Sequence, residues 1–340
     1  MSNLVTSKNS PGLVVIIGLM FLALFIAASL HLFSGSLAID FTAIKQGLNA
    51  QQSLVLWELR LPRLVLVMVV GAGLSVAGVA LQALFRNPLA EPGLIGVSSS
   101  AALGAVFVIV LGSYIWQDIQ FWQMGIAAFF SAVLATFFIY LIATKYGKTD
   151  VALMLLAGVA INAIAGAATQ LLISVSDDNQ LRSVTFWMMG SFANVDWYAV
   201  TIVSLVTIVI TLLLWRLAKP LNAYMLGENI CMHMGYDGKK LKWQIMWGTA
   251  FMVAIAVATV GVIGFVGLVV PHIVRLWVGS DHRRLIPLSA LAGAILLVLA
   301  DWVAKTLISP SELPIGLLMA LLGGPFFLGM LLNQRKGWVK

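Results

Sequence analysis

Ten mostly apolar stretches follow one another along the chain, at 13–33, 64–84, 93–111, 121–143, 151–174, 197–215, 243–263, 265–279, 285–304 and 313–332. A helix needs roughly 20 such residues to cross a bilayer. In hydrocarbon its backbone N–H and C=O groups must be paired within the structure itself, because no water is there to bind them. These two constraints predict an all-α membrane protein with ten transmembrane helices, formed as one polytopic domain over 1–340. Composition agrees, since hydrophobic residues make up 61% of the 340, charged residues only 10%, and mean hydropathy is +1.01. The third and eighth stretches are the shortest or are interrupted by Gly and Pro.

Orientation follows from the basic residues, which accumulate on the cytoplasmic side. With both termini cytoplasmic and the spans alternating, Lys45, Arg60, Arg63, Arg182 and Lys305 fall outside, and the rest of the 20 Lys and Arg fall inside. A nine-span arrangement would put Asp281-His282-Arg283-Arg284 or the C-terminal basic cluster on the wrong side. The net charge of +7 thus reflects topology and contact with anionic lipid, and implies no nucleic-acid partner. Lys8 precedes the first apolar run, but that run is too long for the core of a signal peptide, so it counts as span one. The single Cys231 permits no internal disulfide.

One long segment inside the chain breaks the apolar pattern. Residues 216–242 carry Arg216, Lys219, Glu228, Asp237, Lys239, Lys240 and Lys242, with Leu221, Tyr224, Met225, Ile230, Met232 and Met234 interspersed at helical spacings. Such a segment belongs at the membrane surface, with an apolar side able to dock something. Gly227, Gly235 and Gly238 divide it, which predicts two short helices joined by a turn. The plainer reading is a solvated loop between two spans.

Other features mark where the bundle is tight and where it is broken. In span two, Gly71, Gly73, Ser75, Ala77 and Gly78 leave a small-residue surface that lets helix backbones approach closely, so this span should be central. After it, Pro88, Pro92, Gly93 and Gly96 break the chain at membrane depth, where irregular backbone survives only if buried or lining a cavity, which makes this stretch a candidate inner gate. In span five, Asn162, Gly166, Thr169 or Gln170, and Ser174 form an uncharged polar stripe that either joins helices or lines an aqueous route. Residues 175–195 are too polar to span and should fold back as a short helix at the outer mouth. Gly261, Gly264 and Gly267 with Pro271 imply tight packing or a kink. Asp301 and Lys305, four apart at the outer end of span nine, make a candidate ion pair. Arg60 and Arg63 stand three apart at the mouth of span two, either as interface residues or as positive points for acidic groups of an external partner.

Catalytic patterns do not emerge. The Gly-Lys-Thr at 147–149 has Ile142 where a phosphate-binding loop needs its first glycine. The four histidines lack metal-ligand spacing, and no nucleophile motif is present. This chain is not expected to be an enzyme, and catalytic, metal and cofactor sites are expected to be none.

Taken together, Leu-Arg-Leu-Pro-Arg-Leu at 59–64, the blocks at 83–104, 155–162, 181–197, 264–276 and 280–294, and Glu-Leu-Pro-Ile-Gly-Leu-Leu-Met-Ala-Leu-Leu-Gly-Gly-Pro-Phe-Phe at 312–327 resemble the permease family of ABC importers for ferric siderophores, haem and cobalamin. The resemblance runs nearly the length of the chain. It implies a multi-pass subunit of the bacterial cytoplasmic (inner) membrane, paired with a second copy of itself or with a related permease. It also implies two ATPase subunits that carry ATP and Mg, a periplasmic or lipid-anchored solute-binding protein, and an iron chelate as substrate. Segment 217–240 would hold the coupling helices, with Leu226, Gly227, Glu228, Met232 and Gly235 meeting the ATPase. Asn87, Pro88, Leu89 and Thr149 would form the cytoplasmic gate, and Asn162, Gly166, Thr169 and Gln170 would line the pathway. Arg60, Arg63 and Lys305 would receive the binding protein. Within the same family a cobalamin permease is the alternative; an ion-coupled secondary transporter is the competitor from another class, and would need an intramembrane carboxylate or half-helices aimed at an ion.

Overall fold

A computed structural model describes residues 12–35, 37, 47–114, 120–145, 148–309 and 311–338. The sequence positions Lys8, Asp40, Lys45 and Lys340 lie outside them. In chain order the helices are α1 (Leu13–Phe33), α2 (Ala50–Leu84), α3 (Val97–Leu111), α4 (Phe121–Ala143), α5 (Val151–Ser174), α6 (Asp178–Met189), α7 (Trp197–Arg216), α8 (Ala218–Met225), α9 (Glu228–His233), α10 (Gly238–Val260), α11 (Val266–Val278), α12 (His282–Thr306) and α13 (Ile315–Trp338). A two-residue hairpin, β1 (Thr144–Lys145) against β2 (Lys148–Thr149), joins α4 to α5.

Among the described residues, eight helices are long and apolar enough to cross a membrane, and α3 and α11 are shorter apolar helices. The two short ones are the predicted third and eighth spans. α3 starts at Val97 because Pro92–Ile95 forms a separate 3-10 turn ended by Gly96 in the left-handed region. The α10–α11 boundary is a true break, since residues 261–264 are non-helical. Predicted limits are also revised elsewhere: the second span extends back to Ala50 through a π-helical turn at Val55–Arg60, and the seventh begins at Gly238. Polar caps set several starts. Asp150, Asp177, Asp196, Asp237 and Asp281 each accept backbone N–H groups at the head of the next helix.

The central helix is α2, with 78% of its apolar window buried against 11% for α1. Apolar burial alone cannot drive this in lipid, so close fit must. The small residues supply it: a Cβ on Gly78 would stand 1.9 Å from the Gly267 carbonyl oxygen, and one on Gly71 would stand 2.3 Å from that of Gly293. Only bare backbone fits there, which sets α2 against α11 and α12.

Prolines interrupt α11, α12 and α13 from within, each orphaning a carbonyl four residues back, and in α11 and α12 a side chain from another helix answers it. Pro271 frees the Gly267 oxygen, which accepts from Gln82 Nε2 at 3.2 Å; Gln82 Oε1 in turn accepts from Arg275 at 2.8 Å. Pro287 frees the Arg283 oxygen, which accepts from Trp215 Nε1 at 3.0 Å. Both breaks thereby become fastenings between helices.

Candidate coupling surface and gate

The polar mid-chain segment folds as two short helices, α8 and α9, separated by Leu226 and Gly227. Gly227 adopts φ +137°, a conformation that side-chain-bearing residues rarely take, so glycine is what allows the sharp turn. One side of the pair is buried through Leu221, Ala223, Tyr224 and Cys231, and burial pushes the Tyr224 phenol and the Cys231 thiol above their ordinary values. The other side leaves Leu226, Ile230, Met232 and Met234 exposed, Leu226 at 66%. A row of exposed large apolar side chains in the most charged part of the chain is a surface suited to a protein partner.

Three sets of contacts fasten this pair to the bundle. Asn222 Nδ2 donates to Asp281 Oδ1 at 2.7 Å and Asn222 Oδ1 accepts from the His282 backbone at 3.0 Å, fixing α8 to the α11–α12 turn. Hydrogen bonds from Arg283, supported by Asn222, hold the Asp281 carboxyl well below the usual carboxylate range. Next, the Arg86 guanidinium lies over the Tyr224 ring, 4.4 Å from its centroid, which joins α8 to the turn after α2. Lastly, Lys242 Nζ donates to Glu228 Oε1 at 2.7 Å and to the Thr149 carbonyl at 2.9 Å. A cavity of about 910 Å³ opens between these elements, bordered by Arg86, Thr149, Asp150, Glu228, Met232 and Lys242.

The predicted gate residues fall near this cavity on two segments. Asn87 accepts the Leu89 N–H on its own side chain at 2.9 Å and so holds the turn containing Pro88, while Thr149 ends the hairpin and bonds Thr144 across it at 3.0 Å. From α5, Asn162 Nδ2 reaches the Gly93 carbonyl at 3.1 Å and ties the broken stretch to that helix. The predicted stripe on α5 divides. Gly166 and Gln170 are exposed, whereas Thr169 is buried and spends its hydroxyl on Ala165 O. Gly235 lies beyond α9 at φ +85° with open space beside it.

The basic residues expected to receive a binding protein already have partners. Arg60, only 8% exposed, donates to the Leu32 and Leu37 carbonyls. Arg63 grips Asp301 with two nitrogens, at 2.8 and 2.9 Å, and Glu312 with a third at 2.8 Å. His31 bonds the same Asp301 at 2.8 Å, and Lys305 donates to the His31 carbonyl. Asp301 is therefore paired with Arg63 and His31 across the bundle; the local Asp301–Lys305 pair expected from their spacing is replaced by these longer-range partners.

Sequence reading also passed over Glu91. Its carboxylate accepts the Phe265 N–H at the head of α11, beside a cavity of about 190 Å³ bordered by Leu74 of α2 and Val253 of α10. The only cue was an acidic residue directly before a proline in the broken stretch.

The model of the FecCD transport family matches residues 15–333. The chain is 40% identical over 303 residues to the hemin transport system permease protein HmuU of Yersinia pestis, covering 89% of this chain and 90% of that one. It is 42% identical over 286 residues to the vitamin B12 import system permease protein BtuC of Vibrio cholerae, covering 84% and 85%. Among solved structures, a chain described as a metal-chelate type ABC transporter in an inward-facing conformation superimposes with TM-score 0.84 at 32% identity, over 94% of this chain and 99% of that one.

Proposed function

The chain belongs to the FecCD transport family, and on that premise we propose that it is the membrane permease of an importer that moves an iron chelate inward, powered by two separate ATPase subunits. In this reading two copies pair around a shared route, all ten apolar helices cross the cytoplasmic membrane, and both termini face the cytoplasm. A binding protein on the outer face would deliver the cargo. Haem stands ahead of ferric siderophores as cargo. Cobalamin is the second reading, and relatives named for haemin and for vitamin B12 align with similar identity.

The observation that carries the proposal is the surface of α8 and α9. Leu226, Ile230, Met232 and Met234 stay exposed while the same two helices are fastened to the gate segments behind them. That is the arrangement a lever needs: a greasy face for a partner and a stiff connection to the parts that move. Glu228 and Gly227 set its shape, and Met232 and Leu226 its contact. Opening would re-pack the segments around Asn87, Pro88, Leu89 and Thr149, as rigid elements shifting between two packings. Gly166, Gln170 and Asn162 would then meet the solute with uncharged groups. An ion-coupled mechanism finds less support, because the partly buried Glu91 carboxylate is spent on a helix N-terminus and Asp301 on Arg63.

For docking of the binding protein, Arg63 is the best placed of the three basic residues. Its present outer partner, Glu312, is 40% exposed, and an incoming carboxylate could exchange with it. Arg60 and Lys305 serve in that reading by holding the outer ends of α1, α2 and α12 in position.

Haemin uptake by cells carrying Glu228→Arg, with the protein still in the membrane, tests the proposal. Uptake should fall to background, since the reversed charge breaks the α9 surface and leaves Lys242 without its carboxylate. Uptake at the unaltered level, or uptake by purified chain in sealed vesicles on an ion gradient without ATPase subunits, would refute it. Substituting cobalamin for haemin in the same assay separates the two cargo readings.

A further inference from the structure

We propose that Lys242 is the positioning residue through which movement of α9 reaches the gate hairpin. The inference rests on the reading of α8 and α9 as the ATPase-facing lever, and it names the part that transmits the motion.

Lys242 lies in the second turn of α10 and is 3% exposed. Its ammonium joins three elements that sequence keeps far apart. It bonds Glu228, the first residue of α9, 14 positions away, and the carbonyl of Thr149 on β2, 93 positions away. An ammonium has no acceptor capacity and three N–H groups to satisfy. Sequestered from water, it cannot surrender a partner without a penalty, so the three elements are favoured to move together rather than separate.

The two ends of the connection differ in a way that suits transmission. Glu228 is 41% exposed and sits where a partner on the α9 surface can push it. Thr149 is buried, its hydroxyl bonds Thr144, and the next residue, Asp150, caps α5 while its own N–H bonds the Ala143 carbonyl at the end of α4. Displacement of the Thr149 carbonyl is therefore felt at once at the bases of α4 and α5. Packed interiors do not yield smoothly, but here the cavity of about 910 Å³ borders Thr149, Asp150, Glu228 and Lys242 and leaves room for the shift.

The test uses the complete complex with its ATPase subunits, in a background with Cys231→Ser so that Ala152→Cys, at the exposed first turn of α5 on the cavity wall, is the only thiol in this chain. The readouts are ATP hydrolysis, retention of the ATPase subunits, and the change in thiol-labelling rate when ATP is added. In Lys242→Met and Glu228→Ala that nucleotide-dependent change should shrink about tenfold, within the usual range of coupling between sites, while Lys242→Met keeps its hydrolysis and its ATPase subunits. Glu228→Gln, which still accepts from Lys242, should keep most of the response. Because Glu228 is half-exposed, Glu228→Ala carries the test even if Lys242→Met fails to fold. A full response in Glu228→Ala or in Lys242→Met overturns the proposal, as does loss of the ATPase subunits from Lys242→Met. If the parent complex itself shows no response to ATP, the lever reading fails, and the inference built on it fails too.

Discussion

The cluster around Asp301 shows what it costs to bury a charge and answer it. Asp301 is 1% exposed and relies on Arg63 and His31 from helices more than two hundred residues earlier. Arg63→Ala would leave that carboxylate buried with only the imidazole, and breaking one side of a buried pair costs about 3–5 kcal/mol. The expected outcome is a marked drop in the unfolding temperature of the detergent-purified protein, with partial recovery in Arg63→Ala/Asp301→Asn, where the stranded charge is gone. An unchanged unfolding temperature in the single variant would show that the cluster contributes no net stability. None of this pairing was legible in the sequence. Residue spacing is informative over one or two helical turns, so it offered Lys305 as the neighbour of Asp301, while the actual partners are brought together only by the packing of α1, α2 and α12. Lys242, Glu228 and Thr149 were hidden for the same reason, as was Glu91 with Phe265.

Helices were far easier to read. Run length and hydropathy located the eight long helices and marked α3 and α11 as the weak pair, and the spacing of glycines divided the polar segment into α8 and α9. The small residues of α2 announced a helix that neighbours approach closely. Boundaries were harder, because Ala50–Arg60 and Gly238–Lys242 are helical yet too polar to resemble spans. What proline does inside α11 and α12 was also invisible, since the group that repairs each break comes from a different helix. Gln82→Leu should expose that dependence. It removes the donor to the Gly267 carbonyl and the acceptor for Arg275 while preserving bulk, leaving the buried carbonyl unpaired at about 1–3 kcal/mol and the partly buried guanidinium without its side-chain acceptor. Thermal unfolding should show the loss, and Gln82→Glu, which still accepts from Arg275, should recover part of it; equal stability of Leu and Gln at this position would mean that water or backbone shifts satisfy both groups.

Across the whole molecule, the distribution of basic residues argues for one orientation, with α8, α9 and the α11–α12 turn on the cytoplasmic side. This can be checked with single thiols in a Cys231→Ser background. Met234→Cys should react with a membrane-impermeant maleimide only from the cytoplasmic face, and Leu307→Cys only from the outer face; the reverse pattern at either site would invert or break the assigned topology. Both side chains are more than half exposed, so access does not depend on unfolding. At this scale the packing is uneven. α2 and α10 are mostly enclosed, whereas about a fifth of α5 is, and its Gly166 faces open space.

That bare flank bears on how choosy such a doorway can be. If a twin chain completes it, every change at Asn162 or Gln170 is made in duplicate, on opposite walls related by rotation. A lopsided chelate then meets the same chemistry on both flanks whichever way it is turned, and no wall can be tailored to one of its edges. Generic, slippery contacts serve that geometry better than a moulded pocket, and discrimination between cargoes falls to whatever hands the molecule over.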